Sequence, residues 1–255
     1  MNGRTYERIR VTQDEGVVTL ELNRPEVRNA IDLQMARDID LALEEIVAQN
    51  EPCVLVVTGV GKRSFASGAD MNQVMEEGRE DALRAINSTL FYKLEDFPWP
   101  TIGAIEGIAL GCGCELAMTL DLRIAGASSR LGQPEVGLGV IPGAGATWRL
   151  ARLVGLGRAK ELILTGDTIT AVEAERIGLV NRVVPDGHAL EEAQSLGWHI
   201  LRQDPLSVRV SKMILNAWNR DFCSPVMEKL GQAVLFEAEG KRHRVTAFLE
   251  RKKGS

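Results

Sequence analysis

The residues best suited to chemistry crowd into one short run, ALGCGCELA (109–117). There Gly111, Cys112, Gly113 and Cys114 lead straight into Glu115. Glycine lets main chain approach a ligand with no Cβ in the way. If this run is a loop entering a helix, the first N–H groups of that helix lack internal partners and carry partial positive charge. Such donors suit an oxygen that gains negative charge during a reaction. Glu115 then sits on the first turn, either as a proton carrier or as a plain complement to the helix dipole. A second run, FASGADM (65–71), turns through glycine into a helix beginning near Asp70, and the Ala69 N–H can point at the same oxygen. A third, GQPEVGLGVIPGAGATWRL (132–150), makes Glu135 the lone charge between residues 131 and 147. Partial desolvation there should raise its pKa, which suits a group exchanging protons near neutrality.

Other chemistries fare worse. Cys112 and Cys114 form C-x-C with no second pair, so four zinc ligands cannot be assembled and both read as small packing residues. His188, His199 and His243 share no ligand spacing and read as surface or helix-packing residues. TGVGKRS (58–64) lacks the first glycine of a phosphate loop, and GLGVIPGAG (137–145) misplaces the third glycine of a dinucleotide fingerprint. Both read as loops. No metal or cofactor is expected.

These residues need elements to hold them. Alternation predicts a strand at Val17–Leu22. Asp32 should cap a helix to about residue 48, with Leu33, Ala36, Ile39, Leu43 and Ile46 on one face. The apolar run 53–57 reads as a buried strand, and a glycine-rich loop covers 59–70. Helical patterns occupy 71–75 and 80–96, a strand 101–105, a helix 113–120 and a strand 122–125. Residues 141–143 should open a helix reaching about 153, and 180–184 form a last strand before an almost wholly helical tail. Strand and helix alternating to about residue 185 imply an α/β body with parallel strands.

Composition narrows the function further. The 255 residues are 45% hydrophobic and 25% charged, ordinary for a globular protein able to bury a sizeable core. A net charge of −5 and 5% aromatics disfavour nucleic acid as a partner. The stretch 101–120, with Gly103, Gly107 and Gly111 four apart, imitates a membrane-helix contact. Glu106 and Glu115 inside it would each cost about 2.5–3.5 kcal/mol at a bilayer centre, which argues against a span. The charged N-terminal MNGRTYERIR has no apolar signal region, and the cysteine spacing is no disulfide framework, so a reducing, cytoplasmic location is expected.

Several separated motifs together resemble the enoyl-CoA hydratase/isomerase (crotonase) family. They are LNRPEVRNAI, FASGAD, AIEGIALGCGCELAMTLDLRIA, GQPEVGLGVIPGAGATWRLARLVG, AKELILTGDTITAVEAERIGLVNRVVP and the terminal TAFLERKK, in order from about residue 20 to 253. The resemblance implies an α/β spiral of ββα units over residues 1–195 and a C-terminal helical oligomerisation region over 196–255. It also implies a homotrimer or a dimer of trimers. Residue by residue, the main-chain N–H groups of Ala69 and Cys112 match the two donors of an oxyanion hole, although many members carry glycine at the second position. Glu115 and Glu135 fall on the two catalytic glutamates of the hydratases. The CoA and acyl groups would be lined by Arg28, Ala30, Ala66, Gly68, Asp70 and Met71, with Gly111 and Pro134 beside the donors and acids. Gly143, at the start of a helix, would border the acyl pocket, and Lys252 or Lys253 would reach the phosphates or simply end a solvated helix. The implied reaction is addition of water to a 2-trans-enoyl-CoA, as in fatty-acid β-oxidation, with the acyl-CoA as substrate and no cofactor. An isomerase moving the double bond, another crotonase-type reaction and a silent acyl-CoA binder are the alternatives.

Overall fold

The computed structural model describes residues 5–217, 229, 233, 236–237 and 239–253. The chain opens with a hairpin that periodicity missed on its first side: β1 (Ile9–Asp14) pairs antiparallel with β2 (Val17–Leu22). Glu15 and Gly16 close it with φ of 43° and 85°, the left-handed pair that matches strand twist. Helix α1 (Leu33–Ala48) follows as its sequence predicts. The Asp32 carboxylate accepts from Met35 N at 2.7 Å, and Met35, Ala36, Ile39, Ala42, Leu43 and Ile46 are buried.

The body then repeats one unit three times: a strand in a large sheet, a strand in a small sheet, then helix. The large-sheet strands are β3 (Val54–Gly59), β5 (Thr101–Ile105) and β7 (Leu122–Gly126). The small-sheet strands are β4 (Ser64–Ala66), β6 (Ile108–Leu110) and β8 (Arg130–Gly132). Within each set neighbours run parallel. The helices after the units are α2 (Met71–Glu76), α5 (Cys112–Thr119) and α6 (Ala146–Val154). Between α2 and β5 lie α3 (Arg79–Arg84) and α4 (Ile86–Glu95). The single helix expected over 80–96 is broken because Ala85 adopts φ 46°.

After α6 come α7 (Leu156–Thr165), β9 (Thr168–Thr170), α8 (Ala171–Arg176) and β10 (Arg182–Val184). The large sheet is ordered β1-β2-β3-β5-β7-β10 and the small sheet β4-β6-β8-β9. The last strand of the small sheet runs antiparallel. Helix α9 (Ala189–Leu201), which crosses the expected boundary at 195, buries Ala189 and Ala193 against Val54, Val56, Ile102 and Ile124 of the large sheet. Helices α10 (Pro205–Ala217) and α11 (Glu239–Lys253) complete the described chain. The main core, with Leu20, Leu55, Phe65 and Phe91 fully buried, fills the space between the sheets and α1, α4 and α5. No helix of the described residues is long and apolar enough to cross a membrane. Gly103 lies in β5, Gly107 in the turn after it and Gly111 at the cap of α5.

Candidate active site

Because β4, β6 and β8 are parallel neighbours, their carboxyl ends share one edge of the small sheet. Each strand hands the chain to one of the three runs singled out in the sequence. β4 leads to Ala69, β6 to Cys112 and Glu115, and β8 to Glu135. Ligand sites in open parallel sheets form at such ends for this geometric reason.

At the first end, Ile31 N donates to Gly68 O and Asp70 N donates to Ile31 O, both at 2.9 Å, forming a bridge around Ala69. Among the described residues no protein acceptor takes the Ala69 N–H. The Asp70 carboxylate accepts from Asn72 N and from Arg24 Nη2, so it caps α2 and anchors the loop. At the second end, Cys112 is the first residue of α5, and its N–H also has no described protein acceptor. The close approach that fixes it requires Gly113, since a Cβ there would overlap the Ala66 carbonyl. Helix α5 therefore rests directly on the β4 main chain. The Cys112 side chain is buried, and burial beside the two glutamates pushes its thiol well up, while the Cys114 thiol rises to about 12. Both are neutral packing groups.

Glu115 is only 2% exposed. It does not complement its own helix. Its Oε1 instead accepts from Ala144 N and Ala146 N, both at 2.9 Å. Burial pushes its pKa above the ordinary range, opposed by the N–H groups of 144–146 and by the Arg149 charge. This geometry corrects the expected helix opening at 141–143. Gly145 has φ 121°, so α6 starts at Ala146, and Gly143 stands in the loop before it. The loop's N–H groups face Glu115 rather than continuing a helix.

Glu135 follows Pro134 in a 3-10 turn, Pro134–Leu138, and is half-buried. Deep burial thus falls on Glu115, the reverse of the sequence emphasis. A Cβ on Gly111 would stand 3.0 Å from Glu135 Oε1, which places this carboxyl over the first turn of α5. Gln133, buried beneath it, was not expected in the site. The orientation that satisfies its neighbours turns its side-chain nitrogen toward Glu135, donating to the two carboxylate oxygens at 3.0 and 3.2 Å.

Of the remaining expected residues, Ala66 and Gly68 are buried along β4 and its exit, Ala30 is buried beside them and Met71 opens α2. Arg28 is exposed and, with Lys62, Arg63, Asn29 and Ser64, borders a cleft of about 200 Å³. Lys62 and Arg63 belong to the loop dismissed as a false phosphate motif. It is a loop, and the fold sets it along the same cleft as Arg28, with the Lys62 ammonium beside Gly187. Lys252 and Lys253 end α11, and their side chains lie outside the described residues. His188, His199 and His243 are exposed, with His188 Nδ1 3.1 Å from Glu191.

Comparison with known proteins finds relatives along nearly the whole chain. A family model described as enoyl-CoA hydratase/isomerase matches residues 12–255. The chain is 40% identical to a crotonyl-CoA hydratase of Syntrophomonas wolfei, over 98% of both chains. It is 38% identical to a short-chain-enoyl-CoA hydratase of Clostridium acetobutylicum, over 95% of both. A crystal structure of an enoyl-CoA hydratase from Bacillus anthracis superposes with a TM-score of 0.81 at 35% identity, covering 96% of this chain and 97% of that one. At this identity and coverage, the chain belongs to the enoyl-CoA hydratase/isomerase family.

Proposed function

We infer that the protein is an enoyl-CoA hydratase that adds water across the 2-trans double bond of an enoyl-CoA to give a 3-hydroxyacyl-CoA. The observation that carries this reading is Glu115. Its Oε1 is occupied by main-chain N–H groups, which leaves Oε2 to hold water, and Glu135 stands over the same first turn. The Ala69 and Cys112 N–H groups take the thioester oxygen. As oxygen adds at C3, negative charge moves to that oxygen and both bonds strengthen, the differential binding that catalysis requires. Removing one such donor elsewhere raises a barrier by about 3–4 kcal/mol.

Glu115 orients and deprotonates the water, and Glu135 delivers the proton to C2. Atoms balance: hydroxyl goes to C3, hydrogen to C2, and the carboxyl pair is restored by proton exchange. No cofactor enters this scheme. Arg28 borders the CoA end, and the cations of Lys62 and Arg63 suit its phosphates. Subunit assembly as a trimer or dimer of trimers, through the helices after residue 196, is part of the same proposal.

Offered crotonyl-CoA, the protein should consume the conjugated-enoyl absorbance. Glu115→Gln and Glu135→Gln should each lower kcat by about 10²–10⁴-fold, the usual weight of a positioned acid or base. Wild-type turnover in both variants would end the two-acid scheme. Faster gain of conjugated absorbance from a 3-enoyl-CoA than loss from crotonyl-CoA would make the protein an isomerase instead.

A further inference from the structure

Glu115 is held by a loop, and the loop is itself held by a residue outside that scheme. Arg149, on the first turn of α6, is 2% exposed. Its Nη1 donates to Ala144 O at 2.8 Å, while Nε and Nη2 donate to Glu95 Oε2 at 3.2 and 2.8 Å. Its guanidinium lies over Trp148 at 4.1 Å and near the Tyr92 ring at 5.1 Å, the two rings being stacked on one another. Glu95 is fixed in turn, because Asn216 of α10 donates to its main-chain oxygen at 2.8 Å. The 144–145 peptide therefore has its carbonyl on Arg149 and its N–H side toward Glu115. Gly145 serves this contact: its φ is 121°, and a Cβ there would overlap Arg149 Nη1.

We propose that Arg149 is the positioning residue of Glu115. Clamped to Glu95 and resting on Trp148, it fixes the 144–146 main chain so that its N–H groups occupy Oε1, and it adds a buried positive charge behind the carboxylate. Arg149 from α6 and the neutral thiols of Cys112 and Cys114 on its own helix bear on Glu115, and Glu135 from the 3-10 turn and Glu77 after α2 bear on the same Cys112 thiol. Glu95, behind Arg149, opposes the cation.

This inference rests on the reading of Glu115 as the carboxylate that holds water, and its test separates the two. The acid limb of the kcat–pH profile for crotonyl-CoA hydration is measured with the Glu115 carboxyl titration by ¹³C NMR, assigned as the resonance absent from Glu115→Gln. Arg149→Met should lower kcat by about tenfold or more through misplacement, with KM less affected. It should also move both the limb and the titration upward, by about one pH unit, since the cation favouring the charged form is gone. Arg149→Lys should return the limb toward wild type and leave kcat low, because an ammonium cannot fork to carbonyl and carboxylate together. Glu95→Gln should move the limb the other way, downward, by releasing the guanidinium from its counter-charge. An unmoved limb and titration in Arg149→Met, with activity tracking the folded fraction, would make Arg149 a packing residue and overturn the proposal. If Arg149→Met does not fold, Glu95→Gln decides: a downward shift supports the proposal, and no shift or an upward one overturns it. Full turnover in Glu115→Gln would instead defeat the functional reading, whatever the titrations show.

Discussion

Glu115 places an ionisable group where the fold would rather have a neutral one. Its folded pKa is raised by burial above the ordinary value of 4.5. The stability it contributes is therefore fully present below the unfolded value and is lost as pH rises through the folded one. Glu115→Gln removes that loss, so the melting temperature of the variant should gain on wild type as pH climbs from acid to neutral. A difference that stays flat over roughly pH 4 to 8 would show the carboxyl to be unperturbed. Cys112 tests the opposite kind of contribution. The donor proposed there is main chain and its neutral side chain is buried, so Cys112→Ala should keep kcat within a few-fold, measured by crotonyl-CoA hydration. In the sequence Glu115 stood out as an acid on the first turn after a glycine run, and Glu135 as a lone charge beside a glycine turn. Gln133 and Arg149 did not, because their partners are set by tertiary approach. Nothing in a linear reading joins residue 149 to residues 95 and 144.

Elements were legible where one local force dominates. The start of helix α1 was legible because a cap and a 3.6-residue stripe coincide there. The small sheet was invisible, since β4, β6, β8 and β9 are three residues each, too short for alternation to register. Yet that sheet positions the candidate site. Its demand on α5 is strict at Gly113, whose missing Cβ lets the helix lie on the Ala66 carbonyl. Gly113→Ala should lower stability by about 1–3 kcal/mol through overpacking, read by denaturant unfolding. It should also depress kcat by pushing the Cys112 N–H away from the Ala69 N–H. A variant with normal stability and normal kcat would mean that α5 does not bear on β4.

At the scale of the molecule, the strand–helix order gave the α/β class and the family resemblance the ββα spiral, while the division into two sheets and their strand order emerged only from pairing across the chain. Helix α10 leaves Leu206, Val210, Met213 and Ile214 exposed at helical spacing, a stripe longer than scattered surface residues explain. In the proposed trimer these side chains meet second copies of the chain. Met213→Asp with Ile214→Asp should therefore reduce the mass seen by light scattering toward a single 27.9 kDa chain. A wild-type protein already at that mass would remove the trimer from the proposal.

In the proposed scheme the donors for the thioester oxygen come from main chain, whereas the acids come from side chains on two separate segments. These two parts of the machinery are written differently in the gene. One codon change can retire either acid and leave the oxygen's cradle intact, because no side chain has to be conserved to make an amide hydrogen. A lineage built on this sheet edge can trade one reaction of an activated thioester for another in a single step, without first dismantling the framework that makes thioesters reactive.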